Sequence, residues 1–196
     1  RDYFPLYKIN RSGRPEPESL EYAFEIVEDR CTTIRRPRIE ADDILGMMAS
    51  DGLATAVSID KDLQACPGWH WHPEYQDCPI FVDEEQADLN LYKQWISGDL
   101  TDNIFGVWNW GPKKAEKLLK DTPREEWDSV VMDLFRENPR PEHKRIDIIE
   151  TMTPEEYAVS QAICVRILRK GEYDKEKEEV KLWIPDLKPE VSGERS

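Results

Sequence analysis

The sequence predicts an α/β fold: a mostly parallel central sheet flanked by helices, followed by a C-terminal helical region. Three observations predict it. The apolar run Leu53-Ala54-Thr55-Ala56-Val57-Ser58-Ile59 stops abruptly at Asp60, the profile of a strand buried in a parallel sheet. Helical patterns lie on both sides of that run, at residues 39–50 and 89–96. Acidic residues gather at element boundaries, and Asp60 and Asp62 fall at a strand's carboxyl end, where open α/β sheets collect ligands.

Taken in order, residues 1–18 are rich in Arg, Pro and Gly and read as a mobile basic segment. Residues 18–30 form a helix with Leu20, Phe24 and Val27 on one face. A second helix over 39–50 carries Glu40, Asp42 and Asp43 in its first turn, where the helix dipole favours anions. After the 53–59 strand, Trp69-His70-Trp71-His72 alternates like another strand. The 89–96 helix leads into the Gly98-Asp99 turn, and Gly106-Val107-Trp108-Asn109-Trp110-Gly111 is a tight turn with a helix over 113–119 behind it. Helices follow near 125–137 and 153–170. The second opens on the capping box Thr153-Pro154-Glu155-Glu156 and stops before Gly171. An edge strand is expected over 180–184. Three regions result: an α/β core over 1–97, a helical region over 98–171, and an acidic tail over 172–196.

The 196 residues fit one ordinary domain with a small appendage, and 39% hydrophobic residues suffice for a core. A net charge of −14 argues against capture of nucleic acid by the chain as a whole. Positive charge is instead local, in Arg1, Lys8, Arg11 and Arg14, in Arg30, Arg35, Arg36 and Arg38, and in Lys113, Lys114, Lys117 and Lys120. The four scattered cysteines and the lack of a secretory segment suggest reduced thiols in a cytosol. The chain opens at Arg1 without a methionine, and the expectation is a fragment whose N-terminal part is missing.

Chemistry is concentrated in three acidic clusters: Glu40-Ala41-Asp42-Asp43, Asp60-Lys61-Asp62 and Asp99-Leu100-Thr101-Asp102. Crowded carboxylates repel one another unless a cation neutralises them. Oxygen ligands without organised His or Cys select a hard ion, Mg²⁺ or Mn²⁺. Two such ions are standard apparatus for in-line phosphodiester hydrolysis, so the pattern reads as a metal-dependent nuclease. Any one Asp pair is commonly an ordinary solvated helix end; three at boundaries shift the balance. The glycine turn before Lys113 and Lys114 resembles a helix–hairpin–helix, which offers backbone N–H groups to phosphate, though it also fits a plain helix connection. Cys66, His70, His72 and Cys78 have zinc-ligand side chains but match none of the usual spacings.

Together these residues resemble the flap endonuclease / 5′-nuclease superfamily, which has a PIN-like fold. Glu40-Ala41-Asp42-Asp43-Ile44-Leu45 resembles its E-A-D-D segment, and Ser58-Ile59-Asp60-Lys61-Asp62-Leu63 its strand-end D-K-D. Gly98-Asp99-Leu100-Thr101-Asp102-Asn103, with Gly106-Val107 through Lys113-Lys114-Ala115, resembles its G-D-x-x-D-N and hairpin. Tyr7-Lys8-Ile9-Asn10-Arg11 is similar to its arch motif. The C-terminal stretch from Ala162 to Arg169, with Glu172-Tyr173 and Leu182-Trp183, is similar to the exonucleases of T7-type phages. Asn109 stands where a hairpin glycine is usual, and Asn tolerates a left-handed backbone.

The resemblance implies a 5′–3′ exonuclease or flap endonuclease acting in phage DNA replication and recombination, in the cytoplasm of a bacterial host. It implies a first ion at Glu40, Asp42, Asp60 and Asp62, with Asp43 acting through water. A second ion falls to Asp99 and Asp102 together with Asp62. Lys8 and Arg11 would meet the scissile phosphate in a partial helical arch, while Arg1, Gly106, Gly111, Lys113 and Lys114 would bind DNA. Mg²⁺ or Mn²⁺, two ions, and a K⁺ at the hairpin are the implied cofactors. The implied partner is DNA with a 5′ end, flap or nick, or an RNA–DNA hybrid, and the implied state a monomer. A first strand bearing another Asp ligand would precede Arg1, so the chain by itself is expected to be less stable and less active. A non-catalytic DNA-binding remnant and a PIN-type ribonuclease are the other readings; the latter normally lacks the hairpin lysines.

Overall fold

The computed structural model describes residues 4–13, 15–138 and 151–185. They divide into two units, one of residues 8–87 with 167–181, the other of the described residues within 1–7, 88–166 and 182–196. These limits differ from the regions read off the sequence at 97/98 and 171/172.

In the first unit, α1 (Leu20–Arg30) buries no residue. Its apolar stripe does not face a core; the Arg35 guanidinium lies 4.3 Å above the Phe24 ring instead. Helix α2 (Ala41–Ser50) is anchored by close backbone approach. A β-carbon on Gly46 would stand 2.6 Å from the Leu168 carbonyl oxygen, 2.7 Å from Ile167 Cγ2 and 2.8 Å from Cys66 Sγ, so only glycine lets these segments meet.

The expected 53–59 strand is shortened to β1 (Ala56–Val57), and of that strand only Ala56 is buried. Leu53 and Ile59 are 67% and 66% exposed, so the run is not a strand buried on both faces. The reason lies in pairing: β1 has one ladder among the described residues, parallel to β2 (Gly68–Trp71) with Ala56 opposite His70. In turn β2 pairs antiparallel with β3 (Ile80–Val82), Trp69 opposite Phe81. The described sheet is therefore mixed, in the order β1-β2-β3. Alternation along β2 holds, burying His70 and exposing Trp69.

In the chain order that follows, α3 spans Glu84–Ser97, α4 Pro112–Asp121, α5 Trp127–Glu137 and α6 Pro154–Val165. The second unit packs around aromatic rings. Trp95 is fully buried, donates Nε1–H to the Ala158 carbonyl at 2.8 Å, and meets Tyr92 and Trp183 edge-on. Trp127 Nε1–H is shared between the Leu119 and Thr122 carbonyls. The Trp95 and Trp127 indoles thus each keep a polar partner, as a buried N–H favours.

Helix α6 opens on the expected capping box, with Thr153 Oγ1 accepting from Glu156 N–H at 3.2 Å and Glu156 Oε2 from Thr153 N–H at 2.8 Å. It ends at Val165 rather than 170. Tertiary partners outbid helix propensity there: Leu168 N–H donates to Asp43 Oδ1 at 3.1 Å, and the Arg169 guanidinium donates to the Ala65 carbonyl at 2.7 Å. The edge strand expected over 180–184 is replaced by a two-residue pairing of β4 (Tyr173–Asp174) with β5 (Glu179–Val180). Trp183, placed in that strand by the sequence, belongs to the aromatic cluster. No helix among the described residues is long and apolar enough to cross a membrane.

Candidate metal centre

Five of the sequence-assigned acids lie in the first unit. Asp43 sits in the first turn of α2 and accepts from Glu40 N–H at 2.9 Å through Oδ2 and from Leu168 N–H at 3.1 Å through Oδ1. Its carboxylate therefore ties the start of α2 to residues 167–168. Burial raises its pKa, and the two backbone donors oppose that rise. Asp42, one residue back, has its pKa raised first by burial and then by Asp60 and Glu40, with Asp43 adding to the rise and Lys8 opposing it. These are the marks of neighbouring like charges. Asp60 follows β1 and accepts from Asp62 N–H at 2.9 Å, starting a 3₁₀ turn over Lys61–Ala65. Lys8 forms an ion pair with Glu40.

Among the described residues no group of three or more His, Cys, Asp or Glu side chains is disposed as it stands to hold a metal ion. The carboxylates are engaged otherwise: Glu40 with Lys8, Asp43 with two backbone amides, Asp60 with its own turn. The chemistry of the donors nonetheless fits a hard divalent ion. They are all carboxylates, the oxygen donors such an ion prefers, and the charges of Asp60, Glu40 and Asp43 add to the burial that raises the Asp42 pKa.

Nor do Cys66, His70, His72 and Cys78 come together as a metal-holding group among the described residues. Buried His70 has Nε2 2.9 Å from the Cys66 carbonyl, an acceptor, so that nitrogen carries the proton and donates. Cys66 Sγ lies 3.7 Å from the Ile167 carbonyl oxygen, His72 Nδ1 accepts from Glu74 N–H, and Cys78 is exposed.

Asp99 and Asp102 lie in the second unit, on a loop closed by two backbone bonds, Asp99 N–H to Ile104 O at 2.7 Å and Ile104 N–H to Asp99 O at 2.8 Å. Asp99 Oδ1 accepts from Thr101 N–H at 2.8 Å, repeating the turn made by Asp60. Asn103 takes φ 59° and donates its side-chain amide to the Leu6 carbonyl. The loop returns at Gly106 (φ +59°), where a β-carbon would stand 2.4 Å from the Ile96 carbonyl oxygen. Sequence reasoning missed what braces this return. Gln161 of α6, fully buried, accepts from Phe105 N–H at 2.8 Å and Gly106 N–H at 3.3 Å. Its one signal was an amide set inside an apolar helical stretch.

The glycine turn ends at exposed Gly111, the N-cap of α4, and Asn109 adopts φ 60° as its chemistry allows. Lys113 and Lys114 are exposed on the first turn of α4, with Lys114 Nζ 3.8 Å from the Trp110 ring centroid. Arg11 is exposed on a 3₁₀ turn over Ile9–Arg11. Arg1 and Arg14 lie outside the described residues.

No family model matches the chain. The exonuclease of Escherichia phage T7 is 30% identical over 206 residues, covering 92% of this chain and 68% of that protein. The exodeoxyribonuclease of Enterobacteria phage T3 is likewise 30% identical over 208 residues, with the same coverage. Among solved structures, the bacteriophage T5 flap endonuclease in a pseudo-enzyme–product complex with DNA and metal ions aligns with a TM-score of 0.56 at 20% identity, covering 84% of this chain and 68% of that one. The α/β fold is thus that of the bacteriophage T5 enzyme. The chain belongs to the flap endonuclease / 5′-nuclease superfamily, in the family of the T7-type phage exonucleases.

Proposed function

We propose that the chain hydrolyses DNA phosphodiesters from 5′ ends, as a divalent-metal-dependent exonuclease with flap endonuclease capacity. The observation that carries this reading is the placement of Glu40, Asp42 and Asp43 at the start of α2, with Asp43 bonded to the Glu40 amide and Lys8 paired to Glu40, in a chain 30% identical to a phage exonuclease. Glu40, Asp42, Asp60 and Asp62 are the proposed ligands of one ion, and Asp99 and Asp102, on the sequence pattern alone, those of a second; Mg²⁺ or Mn²⁺ fits both. Such ions, when bound, neutralise charge on the phosphoryl group and supply a more acidic water for in-line attack.

The remaining work falls to the chain. Asp43 fixes the first turn of α2, which carries Asp42. Lys8, released from Glu40 by competition, donates to a phosphate oxygen of the scissile group, and Arg11 supplies a second donor on the same turn. Lys113 and Lys114, with the backbone between Gly106 and Gly111 and a K⁺ at the hairpin, hold duplex phosphates without reading sequence. DNA with a 5′ end, flap or nick is the proposed substrate.

A duplex labelled at the 5′ end of one strand and the 3′ end of the other tests this in Mg²⁺ and in EDTA. The expected result is metal-dependent release of short 5′-labelled products while the 3′-labelled strand shortens gradually. DNA binding without cleavage in Mg²⁺ or Mn²⁺ would instead support a binding remnant. Preferential cleavage of RNA would support a PIN-type ribonuclease.

A further inference from the structure

Gln161 is 0% exposed in the middle of α6, beside fully buried Ala158 and Ala162. An amide buried there costs free energy unless it is hydrogen-bonded. Its bonds converge on one place: Oε1 accepts from Phe105 and Gly106 N–H, while one helical turn earlier Tyr157 Oη donates to the Gly106 carbonyl at 3.2 Å. Both sides of the Gly106 residue are thus gripped from α6. Gly106 is where the Asp99–Asp102 loop rejoins the end of α3, through Val107 N–H to Ile96 O at 2.8 Å. The loop is closed at its base by the Asp99–Ile104 bridge. Its return to α3 therefore runs through the Phe105–Gly106 segment that α6 holds.

We propose that Gln161, assisted by Tyr157, is a positioning residue that orients the Asp99 and Asp102 carboxylates and so sets this loop's affinity for a divalent cation. The inference rests on the reading of Asp99 and Asp102 as ligands. A merely structural Gln161 would affect stability and leave ion affinity unchanged. A positioning Gln161 alters affinity even in variants that remain folded.

The test titrates Mn²⁺ alone into the wild-type chain and into Asp102→Asn, Gln161→Met, Gln161→Glu and Tyr157→Phe by calorimetry, with thermal melts alongside. Methionine keeps the volume and removes the acceptor; glutamate keeps an acceptor. Asp102→Asn is expected to remove one binding step, and Gln161→Met to weaken that same step about tenfold, the range for groups that orient metal ligands. Tyr157→Phe should weaken it by less than Gln161→Met does, and Gln161→Glu should recover most of the loss. Amide hydrogen exchange at Phe105 and Gly106 should quicken in Gln161→Met. A Gln161→Met chain that melts lower but binds Mn²⁺ with wild-type affinity overturns the proposal. If Gln161→Met does not fold, unchanged affinity in Tyr157→Phe overturns it equally. Should Asp102→Asn leave every step intact, the ligand reading of this loop fails and the inference with it, a result separable from the first two.

Discussion

Asp60 shows how much a single side chain is asked to do. One carboxylate oxygen accepts from Asp62 N–H and shapes the turn after β1, while the charge adds to the field that raises the Asp42 pKa. Asparagine can accept the same N–H bond but carries no charge. Asp60→Asn should therefore fold normally and lose cleavage by about a hundredfold to a thousandfold, the scale of removing a preorganised electrostatic group, with duplex affinity little changed. Parallel loss of binding and cleavage in single-turnover and gel-shift assays would refute its role as a ligand. Lys8→Ala should likewise slow the single-turnover step far more than it weakens binding; a defect in affinity alone would count against Lys8 at the phosphate. His70 makes a different demand. Burial lowers its pKa, the Cys66 carbonyl bond resisting that fall, so protonation is easier in the unfolded chain. The folded state then has full stability above the unfolded value of about 6.5 and loses it as pH falls toward the folded pKa, by at most about 1.4 kcal/mol per pH unit. Asp42 and Asp43, with raised pKa values, act oppositely at lower pH. The signature is therefore a difference: urea midpoints of the wild type should fall relative to those of His70→Gln between about pH 7 and 5. Parallel profiles would show that His70 does not titrate differently on folding.

At the scale of elements, legibility followed how local each cause was. The α6 capping box is specified by Thr153 and Glu156, three residues apart, and it formed as read. Asn109 took its left-handed backbone for a reason internal to its own side chain. The acidic segments were legible because each lies within four consecutive residues. The failures were all long-range. Nothing near Val165 announces that α6 stops there, because the competing partners, Asp43 and Ala65, are a hundred or so positions away in sequence. The apolar run 53–59 looked buried because composition cannot say how many sides of a strand are paired. Gln161 was invisible as a brace for the same reason: its partners, Phe105 and Gly106, are 56 and 55 residues distant. Gly46 provides the test of this long-range packing. Its missing β-carbon admits Ile167, Leu168 and Cys66 to α2, and Leu168 is also the donor to Asp43. Gly46→Ala should destabilise the chain by about 1–3 kcal/mol, the cost of overpacking, despite alanine's better helix propensity. A rise in melting temperature would mean that the 167–168 segment yields and that the contact does not constrain α2.

At the scale of the whole molecule the difficulty is charge. Forty-one acidic residues against twenty-seven basic ones give −14, and such a chain repels a polyanion at long range. On the proposed function, binding to DNA comes from a few cations at short range, and Lys113 and Lys114 are the proposed ones, exposed at the N-terminus of a helix whose dipole also favours phosphate. Lys114 is further held over the Trp110 ring, which limits its freedom before DNA arrives. Each phosphate neutralised by a lysine releases condensed counterions, so log K against log salt steepens by about 0.9 per contact. Measured in EDTA, where cleavage and divalent bridging are absent, Lys113→Ala and Lys114→Ala should each make that slope shallower by about 0.9 and weaken binding to all duplex sequences alike. The double variant should lose about twice as much if the two lysines contact separate phosphates. An unchanged slope with unchanged affinity would move the duplex contact away from this turn. The Asp60→Asn chain offers the complementary measurement in Mg²⁺. If acidic repulsion limits association, adding the ion should tighten duplex binding in wild-type Asp102 chains more than in Asp102→Asn ones, because part of the negative field is then cancelled at a defined ligand rather than by diffuse screening.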